Sequence, residues 1–180
     1  MADKILVIYK TKYGSTEQYA KWIAEELNAD IYPVAEVTRD TLSAYDVIIF
    51  GGYLHIGKIV GIEIVTQNWS ILETKKIIVF SVSGSPPEKS DLQTWYAQNV
   101  PEQMRSRIRY FPLQGRVKNL DLKDRVLIAF PRTLLRVQYL VTRQLRYKVA
   151  VETFKPFDAV TKENIVPLVT FAKEITNRSN

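Results

Sequence analysis

The sequence contains no cysteine and only one histidine, His55, among its 180 residues. Without thiols the chain can form neither disulfide bridges nor thiolate metal sites, and a lone imidazole argues against a cluster of histidine ligands. We therefore expect no metal centre. The absence of disulfides also fits a reducing compartment, so we expect a cytoplasmic protein.

Long hydrophobic runs are missing as well. No stretch approaches the roughly 18 uninterrupted apolar residues that a membrane-spanning helix needs. The first residues, Met-Ala-Asp-Lys, lack the positively charged lead of a signal peptide. With 46% hydrophobic residues the chain can bury a core. We expect a single domain over residues 1–180 that does not cross a bilayer.

The charge is unevenly distributed. The segment from Arg105 to Lys148 holds twelve basic residues against Asp121 and Asp124, a net charge of +10, so the rest of the chain carries −4 of the total of +6. A mildly acidic domain therefore bears one strongly basic insert, which we place at about residues 114–157.

Short apolar runs alternate with amphipathic segments along the rest of the chain. This pattern predicts an α/β fold, a doubly wound five-stranded parallel sheet with right-handed crossovers and a ligand at the carboxyl ends of the strands. The predicted strands are Lys4–Tyr9, Ile31–Val34, Asp46–Phe50, Lys76–Val82 and Arg107–Leu113. The predicted helices are Ser15–Leu27, which stops at Asn28, then Lys58–Leu72, Ser90–Met104 with Ser90 as its cap and an early end at Pro101, and Thr161–Thr176.

A polar loop joins the first strand directly to the first helix. Backbone amides at a helix start lack intrahelical partners and the helix dipole adds positive potential, so this turn suits a phosphate group. Neither Gly-x-Gly-x-x-Gly nor Gly-x-x-x-x-Gly-Lys-Ser/Thr occurs here, which leaves flavin mononucleotide (FMN) as the favoured ligand. The alternative is that Ser15 or Thr16 merely caps the helix. The candidate phosphate-binding residues are Thr11, Lys12, Tyr13, Gly14, Ser15 and Thr16.

This loop, together with Gly51–Gly57 and Ser81–Lys89, resembles the three FMN-contacting loops of flavodoxins. The resemblance is greatest to bacterial quinone-dependent protoporphyrinogen oxidases and their flavodoxin-domain relatives. It includes Pro87–Lys89, Gln93 and Thr94 with Tyr96, and a long insert before the last helix. It implies an FMN-dependent oxidoreductase that oxidises protoporphyrinogen IX and passes the electrons to a membrane quinone. Lys12, Tyr13 and the basic charge depart from typical flavodoxins, which makes a soluble shuttle less attractive.

The flavin ring needs apolar walls and backbone hydrogen-bonding groups. Two loops supply candidates: Gly52, Tyr53, Leu54 and His55 after the third strand, and Ser81, Val82, Ser83, Gly84 and Ser85 after the fourth. His55 is either a catalytic acid or base, because its pKa can lie near neutrality, or a loop residue that moves no proton. Which side chain stacks on the ring is left open.

The insert has the pattern of a basic amphipathic helix. At 100° per residue, the arginines of this stretch fall on one side, opposite Val, Leu and Phe side chains. Three explanations of this helix stay open: it packs on its own domain, it lies on an anionic membrane surface, or it binds nucleic acid, which is the least favoured partner. Its arginines can in addition pair with substrate carboxylates. A strand over Val126–Phe130 is the alternative parse. The arginines are Arg125, Arg132, Arg136, Arg143 and Arg146.

Two other functions stay open beside the oxidase. The chain is a flavodoxin-type electron carrier or small quinone reductase, or it is a non-catalytic module that binds a partner through the insert. The expected partners are a quinone, a porphyrinogen and the inner face of the cell membrane. The sequence does not determine the oligomeric state.

Overall fold

A computed structural model describes residues 3–117, 129, 133–134, 136–138, 140–141 and 157–177. The chain forms two compact units. The first combines Met1–Gly115 with Val160–Asn180, and the second is Arg116–Ala159. The second unit therefore begins and ends within two residues of the predicted insert boundaries.

The first unit is built on a parallel sheet. Its strands are β1 (Ile5–Tyr9), β2 (Asp30–Pro33), β3 (Val47–His55), β5 (Lys76–Ser83) and β6 (Ile108–Gln114), in the order β2-β1-β3-β5-β6. All four pairings along this path are parallel. A short strand β4 (Lys58–Ile59) pairs antiparallel with the end of β3. The predicted five-stranded parallel sheet is confirmed.

Helices cover both faces of this sheet. One face packs on α1 (Ser15–Leu27) and on the last helix, α7 (Val166–Asn177), which follows a 3₁₀ turn at Lys162–Ile165. The other face packs on the remaining helices: α2 (Arg39–Ser43), α3 (Glu63–Thr66), α4 (Trp69–Leu72), α5 (Asp91–Asn99) and α6 (Glu102–Arg105). A 3₁₀ turn at Val34–Glu36 follows β2. Because both faces are covered, the central strands contain continuous apolar runs, such as Val47–Phe50 in β3 and Ile77–Phe80 in β5.

The first helix matches its prediction residue for residue. It buries Tyr19, Ala20, Ile23 and Ala24 on one face. Asn28 ends it in the left-handed conformation at φ 48°, and its N–H donates to the carbonyls of Ala24 and Glu25. Asparagine tolerates that conformation better than most residues, which is why the stop was readable.

The single helix predicted over Lys58–Leu72 is wrong. Lys58 and Ile59 turn back along β3, where they pair with His55 and Leu54. Gly61 then takes φ +92°, a conformation that no helix interior contains. The rest of the segment forms only the two short helices α3 and α4.

The helix predicted over Ser90–Met104 is shorter than expected. Ser90 occupies the N-cap position, as predicted, but it has helical backbone angles and its side chain makes no capping bond. Helix α5 ends at Asn99, and Val100 is extended because it precedes Pro101. The early end at the proline is therefore confirmed.

In the second unit, β7 (Arg116–Val117) pairs antiparallel with β8 (Phe157–Asp158). Ala129 is helical, as are Thr133, Leu134, Arg136–Gln138, Leu140 and Val141. Thr133 Oγ1 donates to the Ala129 carbonyl at 2.8 Å, the spacing of one helical turn. The alternative strand over Val126–Phe130 lies outside the described residues except for Ala129. The predicted residues Arg125, Arg132, Arg143 and Arg146 also lie outside them.

No helix in the described part of the chain combines the length and apolar character needed to cross a bilayer.

Candidate functional site

The polar loop after β1 forms a tight turn into α1. Lys10 N–H donates to the Gly51 carbonyl at 2.8 Å, which ties the start of the loop to β3. Thr11 Oγ1 accepts from Gly14 N–H at 3.0 Å. Gly14 has φ +83°, and a Cβ placed on it would meet nothing within 4 Å. The turn is therefore held locally and leaves open space in front of the helix start.

The charge around this turn favours an anion. The helix dipole places partial positive charge at the start of α1. Lys12 Nζ lies 5.1 Å from the centre of the Tyr13 ring, and the Lys12 side chain is exposed. Glu17 in the first turn would repel an anion, but its carboxylate is 2.6 Å from Lys21 Nζ. This hydrogen bond raises the pKa of Lys21.

Ser15 and Thr16 are buried, Thr16 at 1% exposure. Ser15 lies beside Gly115, whose Cβ would sit 3.7 Å from Ser15 Cβ. Ser15 and Thr16 thus have little exposed surface, whereas Lys12 is exposed and Thr11 and Tyr13 are half-buried. Phosphate binding by these loop residues stays a prediction.

A hairpin extends from the end of β3 at the same edge of the sheet. Its two-residue turn, Ile56–Gly57, has φ 48° and φ 73°, and the Ile56 side chain is 74% exposed. The returning strand lies close to β3 because position 52 is glycine, where a Cβ would be 2.7 Å from the Val60 carbonyl oxygen. The absence of a side chain at Gly52 thus allows the returning strand to pack closely against β3.

Helix α5 holds this hairpin from the side. Asn99 Oδ1 accepts from Ile59 N–H at 3.0 Å, and Asn99 Nδ2 donates to the carbonyls of Gly57 and Trp95, both at 2.7 Å. Trp95 lies against the turn, since a Cβ on Gly57 would be 3.3 Å from its ring. Lys89 Nζ is 5.9 Å from the centre of the Trp95 ring. Two hydrogen bonds of the Asn99 side chain therefore join α5 to a hairpin about 40 residues away in the sequence.

An open cleft of about 840 Å³ lies between the hairpin, the start of α3 and α5. Its apolar walls include Leu54, Ile56 and Trp95, and Ser83–Ser85 supply polar groups at one side. Ser83 Oγ accepts from Ser85 N–H at 3.1 Å, which rigidifies that loop. The volume is within the range of small-molecule sites, about 300–1,000 Å³.

The structure brings together some of the predicted ring contacts. Leu54, Ser83, Gly84 and Ser85 line the cleft. The other candidates do not line it: Gly52, Tyr53, His55, Ser81 and Val82. Gly52 packs under the hairpin, and Val82 is buried on the opposite face of the sheet, against the α1 and α7 side.

A polar and aromatic layer lies below the cleft. Ser81 Oγ and Tyr110 Oη are 2.6 Å apart, and the Tyr110 ring stacks on Tyr96 with centres 4.1 Å apart. Burial raises the pKa of Tyr96 to about 12 and also raises that of Tyr110. Ser81 is therefore engaged within the core instead of facing a ligand.

The sequence analysis included Ile56 only as a member of the loop Gly51–Gly57, and it did not single out Trp95 or Asn99 as cleft residues. Glycine at position 57 accepts positive φ, but isoleucine at position 56 disfavours it, so the Ile-Gly pair is not a favoured sequence for this two-residue turn. No local pattern indicated Asn99, whose partners belong to a distant segment.

Among the described residues, no group of three or more His, Asp or Glu side chains could hold a metal ion. The doubly wound sheet, the turn into α1 after β1 and the cleft at the same edge form the arrangement in which open α/β sheets bind nucleotide cofactors.

Comparison with known proteins identifies the family. A family model described as "Flavodoxin domain" matches residues 6–136. This chain belongs to that flavodoxin-domain family. The match does not specify a substrate.

Individual relatives are more distant. An uncharacterized protein of Methanocaldococcus jannaschii is 39% identical over 96 residues, which cover 48% of this chain and 59% of that protein. A WrbA-like flavodoxin from Agrobacterium tumefaciens is 19% identical, covers 68% and 88% of the two chains and has a TM-score of 0.46. Oxidised flavodoxin 2 from Bacillus cereus is 21% identical, with 62% and 84% covered and a TM-score of 0.44. At these scores the structural likenesses add no weight to the family assignment.

FMN is the cofactor of this flavodoxin-domain chain, as the sequence predicted. The residues present fit it, since the open turn at Gly14 accommodates a phosphate and the cleft beside Leu54, Trp95 and Ser83–Ser85 has apolar and polar groups suited to a flavin ring. Bound FMN supplies the ability to accept and release electrons.

Proposed function

We propose that this chain is an FMN-dependent oxidoreductase that passes electrons to a quinone, with protoporphyrinogen IX as the reductant. The observation that carries the proposal is the cleft of about 840 Å³ with Leu54, Ile56 and Trp95 in its walls. An electron carrier needs only an exposed flavin edge, whereas an oxidoreductase needs room beside the ring for a flat organic molecule. The cleft is near the upper end of the size range of small-molecule sites, about 300–1,000 Å³, which favours room for both the ring and a substrate. The resemblance of the three loops to protoporphyrinogen oxidases selects the substrate to test first.

The test is an anaerobic titration of the FMN-loaded protein with protoporphyrinogen IX, followed by a menaquinone analogue, with flavin absorbance recorded throughout. Bleaching by the porphyrinogen and recovery with the quinone would support the oxidase. If the porphyrinogen does not reduce the flavin, but the quinone reoxidises it after chemical reduction, protoporphyrinogen IX would be rejected as the reductant and the quinone would be retained as the acceptor.

A flavodoxin-type electron carrier or small quinone reductase is the second candidate, and membership of the flavodoxin-domain family favours it. Reduction of the flavin by NAD(P)H or by a flavodoxin reductase, without any response to the porphyrinogen, would select it. A chain that binds no FMN would instead be a non-catalytic partner-binding module, and both redox proposals would fail.

A membrane surface is the proposed partner of the insert and would bring a lipid-soluble quinone to the protein at the inner face of the cell membrane. Support comes from the helical residues Leu134, Val137, Leu140 and Val141, whose side chains are exposed, and from the exposed Arg136. Exposed apolar side chains beside basic ones are typical of interfacial helices on anionic lipid.

Sedimentation with phosphatidylglycerol vesicles tests this partner. The unchanged protein should pellet with these vesicles, and the triple variant Arg132→Glu, Arg136→Glu, Arg143→Glu should stay in the supernatant. Neither protein should pellet with neutral phosphatidylcholine vesicles. If the triple variant pellets as well as the unchanged protein does, the proposed membrane contact is wrong.

A further inference from the structure

The turn Ile56–Gly57 is held in a conformation that its first residue does not favour. Ile56 has φ 48°, and a β-branched residue at positive φ is a steric outlier. Such strain costs about 1–3 kcal/mol and persists only where the surrounding structure imposes it. The Ile56 side chain is 74% exposed, so its own packing does little to offset this cost.

The compensation comes from α5. Asn99 accepts a hydrogen bond from Ile59 N–H and donates one to the Gly57 carbonyl, and these two groups flank the turn on its return side. Its third hydrogen bond, to the Trp95 carbonyl, anchors the amide group to its own helix. The amide group therefore has its carbonyl oxygen and its nitrogen both in use, and its orientation is determined.

The neighbouring side chain completes this support. The Trp95 ring lies against Gly57, so the turn cannot move towards α5. Ile56, Gly57, Trp95 and Asn99 all line the cleft that holds Leu54 and Ser83–Ser85. The strained turn is thus a wall of the cofactor site.

We propose that Asn99 is a positioning residue that fixes the Ile56–Gly57 turn in its left-handed conformation, so that the ring side of the FMN site is formed before the cofactor binds. This inference rests on the FMN site described above and assigns no chemical step to Asn99. Preorganisation of this kind increases affinity because the ordering cost is met in the free protein.

The matched control is Gln98, the preceding residue of α5, which lines the same cleft and is exposed. Within the described residues no hydrogen bond joins Gln98 to the hairpin. Asn99→Ala and Gln98→Ala therefore remove similar volume from the same wall, and only the first releases the turn.

The first measurement is hydrogen exchange at the Ile59 amide in the full-length protein without FMN. Asn99→Ala should increase this rate at least about tenfold, the loss expected for hydrogen bonds worth roughly 1.5 kcal/mol. Gln98→Ala should change it less than about twofold on the same scale. Equal rates in the two variants would overturn the proposal.

The second measurement is a double-mutant cycle with Ile56→Asn. An Asn-Gly pair adopts positive φ at both turn positions without strain, so the turn then needs less external support. The effect of Asn99→Ala on Ile59 exchange should fall to less than about threefold in the Ile56→Asn background, because coupled residues show non-additive effects. An effect of the same size in both backgrounds would mean that Asn99 only stabilises α5, and the positioning role would be wrong.

Should Asn99→Ala fail to fold, Asn99→Asp tests the same idea. The carboxylate keeps the acceptor for Ile59 N–H but loses the donors to Gly57 and Trp95, so Ile59 should stay protected while FMN affinity falls about fivefold, a change of about 1 kcal/mol. Unchanged FMN affinity would overturn the proposal. If the unchanged protein binds no FMN, the proposed function fails, and Ile59 exchange still decides whether Asn99 holds the turn.

Discussion

Two turns at the carboxyl edge of the sheet contribute to the site in opposite ways. The turn at Gly14 uses a glycine for its positive φ and a hydrogen bond within its own loop, in which Gly14 N–H donates to Thr11 Oγ1. The turn at Ile56–Gly57 places a β-branched residue at positive φ and depends on Trp95 and Asn99 from a distant helix. The first turn is locally encoded, whereas the second is imposed by packing.

The phosphate and the flavin ring of FMN therefore place different physical demands on the protein. A phosphate needs donors and positive potential, which a short loop at a helix start supplies by itself. A ring needs walls from several segments, and those walls must be aligned by tertiary contacts. Local substitutions should therefore affect the two turns differently, and the following predictions run from the largest effect to the smallest.

Gly52→Ala should have the largest effect. The added Cβ would lie 2.7 Å from the Val60 carbonyl oxygen and 2.9 Å from the Ile59 side chain, and backbone there cannot move without pulling β4 from β3. Overpacking of this kind costs about 3 kcal/mol. Urea unfolding should show that loss, with FMN affinity reduced as well. A loss below about 1 kcal/mol on this scale would mean that the hairpin is not pressed against β3.

Gly14→Ala and Gly57→Ala form a matched pair, because both glycines have positive φ. Each alanine should cost about 1–2 kcal/mol of stability through backbone strain. Ligand affinity should separate them. Gly14→Ala should weaken FMN more than riboflavin, which lacks the phosphate, whereas Gly57→Ala should weaken both equally. Fluorescence titrations with the two flavins check this prediction. If both variants lose affinity for FMN and riboflavin in the same proportion, the Gly14 turn and the Ile56–Gly57 turn do not serve the phosphate and the ring separately.

Ile56→Asn should stabilise the protein by about 1 kcal/mol, since it removes the strain of a β-branched residue at φ 48°. The control is Ile56→Val, which keeps the branching and should leave stability within about 0.5 kcal/mol of the unchanged protein. Thermal unfolding at pH 7 distinguishes the two. A destabilising asparagine would show that the exposed isoleucine contributes contacts that offset its strain.

The sequence predicted the locally encoded parts of this molecule. Apolar runs located the five parallel strands, and helix α1 was predicted from Ser15 to Leu27 without error. The turn into α1 could be predicted because a glycine, hydroxyl residues and a helix start occur within six residues, and its role in phosphate binding stays a prediction. These signals depend on spacing within one turn or strand, which is what periodicity and capping rules measure.

The hairpin and the α5 residues that line the cleft could not be predicted from the sequence, for a physical reason. Helical spacing of apolar residues across Lys58–Leu72 concealed the return strand, and Gly61 at φ +92° was the feature that decided against a helix. Asn99 acts on Gly57, 42 residues away, so no window of sequence contains both partners. The hydrogen bond between Ser81 and Tyr110 could not be predicted for the same reason, because the pairing of β5 with β6 brings these two residues together.

Tyr96→Phe should have the smallest effect at neutral pH. Tyr96 is 7% exposed, and its hydroxyl has no hydrogen-bond partner among the described residues, so its removal should be neutral or stabilising by up to about 1 kcal/mol. The variant also tests the alkaline limit. Burial raises the pKa of Tyr96 to about 12 in the folded state against 10.0 when exposed, so the folded protein holds the proton more tightly.

That preference is fully present below pH 10 and is lost as the pH rises from about 10 to about 12. The unchanged protein should therefore lose about 2 kcal/mol more stability than Tyr96→Phe between pH 9 and pH 12. Urea unfolding at both pH values measures the difference. Parallel pH profiles would mean that water reaches the hydroxyl, and the aromatic layer beneath the cleft would then be open on the α5 side.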